Sequence, residues 1–120
     1  MNAAGLKEWL EQKAEACRRE QAALRSDMRG DEANFSAIRA NIYDIFRTVL
    51  AVAEQTAGND AERAARFFEK KLEEIPRSWR TSLEKAQAHG DVEKAHVERI
   101  KLDALEEIRC AAAAERGDAR

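Results

Sequence analysis

Apolar residues recur three and four positions apart along this chain, the period of one face of an α-helix rather than the alternation of a strand. The first stripe runs through Leu10, Ala14, Cys17, Gln21, Leu24 and Met28, widened at its start by Leu6 and Trp9. The second is the most hydrophobic. Phe35, Ile38, Ile42, Ile45, Val49 and Val52 keep an unbroken seam, and Tyr43, Phe46, Leu50 and Ala53 form another one residue round. Two seams predict a helix with neighbours on both flanks. The Ile and Val content of residues 42–52 would suit a strand, but period two fails there, and Asp44 and Arg47 fall at helical spacing on the side away from the first seam.

The third stripe, Ala61, Ala65, Phe68, Leu72, Ile75, Trp79, Leu83 and Ala86, keeps its phase straight through Pro76. A proline inside a helix removes one hydrogen bond and costs about 3 kcal/mol. A hairpin of two short helices would need turn residues near 75–78, where there is no glycine and Ser78 is the one available cap. The phase therefore predicts a kinked rod. The last stripe is Val97, Ile100, Ala104, Leu105, Ile108, Ala111 and Ala112.

Between the stripes stand three short phrases: Arg29-Gly30-Asp31, Gly58-Asn59-Asp60 and His89-Gly90-Asp91. Each reads as a helix stop followed at once by a start. Glycine takes the left-handed conformation past a helix end, and Asn or Asp accepts from the first free N–H groups of the next helix. Asn59 and Glu62 add the spacing of a capping box. The predicted helices are 4–29, 32–57, 60–89 and 92–115, with 116–120 a frayed tail. Helices of similar length joined by such short turns run antiparallel to their neighbours. The expected architecture is an all-α, single-domain (1–120), up-down-up-down four-helix bundle, its third helix kinked or broken at Pro76. The tripeptide Arg-Gly-Asp, at 29–31 and again at 116–118, is read as helix punctuation rather than as an adhesion motif.

Composition changes this picture in two ways. Of 120 residues, 24 are alanine and 22 are Leu, Ile, Val or Phe, so the core is narrow. Charged residues make up 37%, yet 21 cations nearly cancel 23 anions for a net charge of −2. That balance argues for a folded domain with self-compensating surfaces and against non-specific nucleic-acid binding, which needs a basic field. No apolar run approaches the ~20 residues of a membrane span, and the N-terminal stretch lacks a secretory apolar core. Two cysteines 93 residues apart, Cys17 and Cys110, predict buried or half-buried inert thiols rather than a disulfide, and a cytoplasmic protein.

Candidate chemistry is thin. There is no nucleophile in a recognisable setting, no phosphate loop and no cofactor motif. Glu93-x-x-His96 puts two metal ligands on one helical face, but bundle di-iron sites use that phrase twice with two further inward glutamates; here it reads as a boundary histidine beside a carboxylate. Asn34, Asn41, Thr48 and Gln55 stand seven apart on the second helix, and beside a buried seam they predict interhelical hydrogen bonds or a small pocket, with Gln21 in the same layer. Basic residues 63–85 carry a net +3, interleaved with glutamates, which predicts a solvated, ion-paired face.

The expected function is a non-enzymatic, cytoplasmic interaction or assembly module with no catalytic, cofactor-binding or metal residues. The alternatives are a small-ligand- or metal-binding bundle using Gln21, Asn41, Thr48 or His96, and, more weakly, a nucleic-acid accessory protein. Self-association as a homodimer is expected, with Tyr43, Phe46 and Leu50 as the docking seam and Phe67 and Leu102 as further bulky groups outside the primary stripes.

Overall fold

In the computed structural model, which describes residues 2–116, the stripes become five helical segments: α1 (Ala3–Ser26), α2 (Gly30–Ala57), α3 (Ala61–Glu74), α4 (Arg77–Ala88) and α5 (Val92–Arg116). They form four antiparallel rods, because α3 and α4 are one rod bent by 16° at residues 75–76. The ladder resumes directly across the bend: Ile75 N–H donates to Lys71 O, and Arg80 N–H donates to Pro76 O, both at 3.0 Å. Pro76 keeps helical φ and ψ of −76° and −1°. The rod is thus kinked and not a hairpin.

Packing is centred on α2, which lies along α1 and also meets α3 and α5, while α4 rests on α5. The large, fully buried side chains are Leu6, Leu10, Tyr43, Phe46, Leu50, Phe68, Leu105 and Ile108, with Pro76. They come from the N-terminal half of α1, the later part of α2, α3 and the C-terminal half of α5, which the antiparallel order gathers at one end of the bundle. At the other end α4 buries only Ala86 fully, and Trp79 and Leu83 stay half-buried.

The expected burial of both seams of α2 is only partly met. Tyr43, Phe46, Leu50 and Ala53 are at most 1% exposed and Ile42 of the first seam is 3% exposed, whereas Ile45 and Val52 are 38% and 41% exposed, and Phe35, Ile38 and Val49 are half-buried. Volume explains the difference. The Tyr43 ring meets Trp9 edge-on at 5.8 Å and the Phe46 ring meets Phe68 at 6.1 Å. Two aromatic rings bury more area than two β-branched side chains, and the neighbouring helices are too rich in alanine to fill the centre otherwise. Consequently Tyr43, Phe46 and Leu50 are unavailable as a dimer seam. Phe67 and Leu102 also pack partly against the core.

Two junctions follow the expected grammar. Gly58 and Gly90 have φ of 63° and 69°, and Asp60 and Asp91 accept from the N–H groups of Arg63 and Lys94 at 3.0 and 3.1 Å. Asp60, not Asn59, is therefore the middle cap. The first junction differs: α1 ends at Ser26, Gly30 is already the first residue of α2, and Met28 takes the left-handed position at φ 59°. Arg29 stands at the N-cap of α2 without a side-chain bond to the helix backbone, its guanidinium donating instead to Glu32. At the C-terminal end Arg116 is helical and ion-paired, its guanidinium reaching Glu69 at 2.5 Å and Glu62 at 3.3 Å. The rest of the expected frayed tail, with the second Gly-Asp, lies outside the described residues. Of the cysteines, Cys17 is buried as expected but Cys110 is exposed.

Two stability measurements check these assignments. Phe46→Ala is expected to cost about 3–5 kcal/mol in chemical denaturation, while Ile45→Ala, one residue away, costs less than about 1 kcal/mol. Met28→Gly is expected to stabilise the chain by up to about 1 kcal/mol, since a 92% exposed side chain offers no packing to offset the left-handed backbone.

Candidate functional site

With the aromatic seam turned inward, the opposite face of α2 is left to solvent. Along it Asn34, Ile38, Asn41, Ile45, Thr48, Val52 and Gln55 follow one another at intervals of four and three, the repeat of a coiled-coil seam. Asn34, Asn41, Ile45, Thr48, Val52 and Gln55 are exposed and Ile38 is half-buried. At 1.5 Å per residue the strip is about 32 Å long. It carries no charge. The four charged residues between 34 and 56 all point to its flanks. Arg39 bonds Glu107 of α5 at 3.2 Å, Asp44 pairs with Arg18 of α1, and Arg47 and Glu54 line a groove with Lys7 and Glu11 of α1.

That absence of charge is specific to this face. The outer surfaces of α1 and α3 are laced with pairs such as Arg19–Glu15 at 2.9 Å and Lys70–Glu74 at 3.6 Å. Exposed pairs of this kind contribute little stability, but they keep a surface hydrated. Here β-branched side chains alternate with neutral amides and a hydroxyl instead.

The uncharged row was legible in the sequence, but its side was not. Asn34, Asn41, Thr48 and Gln55 are solvent-facing, and of the four Thr48 lines the open groove shared with Lys7, Glu11, Arg47 and Glu54. Gln21 is half-buried on α1. Glu93 and His96 are exposed, and the imidazole packs edge-on against Phe35 at 4.6 Å. Among the described residues no group of three or more His, Cys, Asp and Glu side chains could hold a metal, and no helix is long and apolar enough to cross a membrane.

A second cluster, which sequence reading did not find, ties three helices together. The Tyr43 hydroxyl donates to Glu107 Oε2, Arg39 donates to the same oxygen, and Lys13 Nζ lies 3.7 Å from Oε1. Lys13 also stands 5.8 and 5.7 Å above the Trp9 and Tyr43 rings. Burial raises the Glu107 pKa, but the Tyr43 hydroxyl and the two cations outweigh it and hold the carboxyl below its usual range. Burial, with the Glu107 hydrogen bond, drives the Tyr43 phenol well above 10. Burial likewise raises Cys17, which makes it a poor nucleophile. Beside the cluster, Trp9, Lys13, Asp103, Glu106, Glu107, Cys110 and Ala111 line an open surface groove. A spacing of 64 residues between Tyr43 and Glu107 leaves no local sequence signal for such a bond. Nor did spacing reveal Glu98, buried on α5 with Lys101 at 3.3 Å and its Oε2 unpartnered.

The cluster joins α1, α2 and α5, and within it Arg39 Nε is buried without a hydrogen-bond partner. No family model, curated protein or solved structure matches the chain.

The cluster predicts a signed pH dependence. A carboxyl whose folded pKa lies below its unfolded value stabilises the fold above the unfolded value, near 4.5, and loses that contribution as pH falls through the folded one. Wild type should therefore lose stability on acidification below about 4.5 more steeply than Glu107→Gln. A phenol raised above 10 acts in the opposite sense, stabilising below pH 10 and failing as pH rises further. Tyr43→Phe should remove that alkaline loss and cost about 1.5 kcal/mol at neutral pH, the low end for a bond to a charged acceptor because Glu107 is partly hydrated. Denaturant melts of the three proteins across pH 3–11 check both signs.

Proposed function

We propose that this chain is a non-enzymatic helical interaction module acting in the cytoplasm, and that the uncharged outer face of α2 is its docking surface. The observation that carries the reading is the pairing of exposed Ile45 and Val52 with Asn41, Thr48 and Gln55 on a face about 32 Å long without a charge, in a chain that is 37% charged. Exposed single hydrophobes are ordinary. Here two of them, Ile45 and Val52, stand seven residues apart on one uncharged helix face, which suits the side of another helix. Two free cysteines accord with a reducing compartment.

A benzoylphenylalanine photocrosslinker placed at position 45 or 52, and at Arg66 on the charged face of α3 as control, tests this in cells producing the protein. Discrete adducts are expected from positions 45 and 52 and none from 66. Equal labelling at all three positions, or no adduct at 45 and 52, would overturn it.

A further inference from the structure

We infer that α4 is a detachable arm: it leaves α5 and melts as far as the bend at Pro76 while the rest of the bundle stays folded. The inference is independent of the outer face of α2. The bend itself is pinned. Pro76 is fully buried and has no N–H to offer Leu72 O one turn back, and that oxygen accepts instead from Arg109 Nη2 of α5 at 3.2 Å. On the near side of the pin α3 is held on two flanks. The Phe68 ring meets Phe46 of α2 at 6.1 Å, and Arg116 of α5 reaches Glu69 and Glu62 at 2.5 and 3.3 Å.

Beyond the pin such ties stop. The side-chain hydrogen bond that α4 makes runs inside it, from the Thr81 hydroxyl to Arg77 O at 3.1 Å. Among the described residues no hydrogen bond, ion pair or ring contact joins an α4 side chain to another helix. Ala86 is its one fully buried side chain, with Trp79 and Leu83 half-buried. Little buried apolar area and no polar tie are the marks of a segment that opens below the global unfolding free energy. A helix of 12 residues without a surface to lie on is marginal in water, so release and melting are one event.

What lies beneath α4 favours the release. Ala86 and Ala95 line one groove and Arg109 meets Leu72, so the antiparallel register sets residue 98 of α5 opposite residue 83. Glu98 stands there 5% exposed. Lys101 Nζ approaches its Oε1 at 3.3 Å, and Oε2 is buried with no hydrogen-bond partner. An unpartnered carboxylate oxygen is costly to bury, and water satisfies it once α4 lifts. Opening thus hydrates Glu98 and bares the apolar stripe of Trp79, Leu83 and Ala86.

Residue-resolved hydrogen exchange of the full-length native chain, corrected for intrinsic chemical rates, reads the opening. Amides 81–88 are expected to exchange at least about tenfold faster than amides 65–72 of α3 and 99–106 of α5. Glu98→Met removes the unpartnered oxygen at similar length, and should slow exchange in α4 severalfold towards the α3 rate while leaving α3 unchanged. Equal protection of 81–88 and 65–72 in wild type would overturn the arm. Exchange of 99–106 together with 81–88 would mean that the whole end of the bundle frays, and would overturn release at Pro76. A Glu98→Met chain in which α4 exchanges as fast as in wild type, or which does not fold, would overturn the part assigned to Glu98.

Discussion

Everything in this bundle depends on where α2 places the rings of Tyr43 and Phe46. The chain has 24 alanines and few large side chains, so helices could approach closely almost anywhere, and only bulky groups define a centre. Tyr43 against Trp9 and Phe46 against Phe68 supply it, with Leu6, Leu10, Leu50, Leu105 and Ile108 filling the space around them. Once these rings are inside, the rotation of α2 about its axis is fixed. The Tyr43 hydroxyl then reaches Glu107 and draws in Arg39 and Lys13, which locks α1, α2 and α5 to one another at the edge of the core.

The same rotation has a cost on the far side. It turns Ile45 and Val52 outward and makes the row of Asn, Thr and Gln beside them a surface feature. Ion pairs cover the outer faces of α1 and α3, and none is needed for folding there. A face that lacks them, with Ile45 and Val52 exposed on it, is the surface for which we propose a docking role. Fold and proposed function are therefore one fact seen from two sides of α2.

Much of the architecture was legible in the sequence because its signals are local. Three-four spacing gave the helices, and continuity of phase through Ile75 and Trp79 distinguished a bent rod from a hairpin. Gly58 and Gly90 marked two of the ends by a backbone conformation that few other residues accept. Met28 escaped because it adopts that conformation without being glycine, and Gly30 misled because it sits in a helix. That Ile45 and Val52 of the first α2 seam would face outward escaped for a different reason. The two seams are one residue apart, about 100° round the helix, and hydropathy favours the β-branched one; the deciding quantity is volume against alanine-rich neighbours, which only the assembled bundle expresses. The docking face was singled out as an uncharged row but assigned to the interior for the same reason. The Tyr43–Glu107 bond joins residues far apart in the chain, and pair contacts of that range leave no periodic trace.

The account is tested most directly by the thermal midpoints, in dilute solution, of wild type, of Phe46→Ala and of the double variant Ile45→Asp, Val52→Asp. Phe46→Ala should melt far below wild type, because its ring helps to fix the rotation of α2, and the double variant should melt close to wild type. A double variant that melts as far below wild type as Phe46→Ala would show that Ile45 and Val52 belong to the chain's own core and would contradict the account.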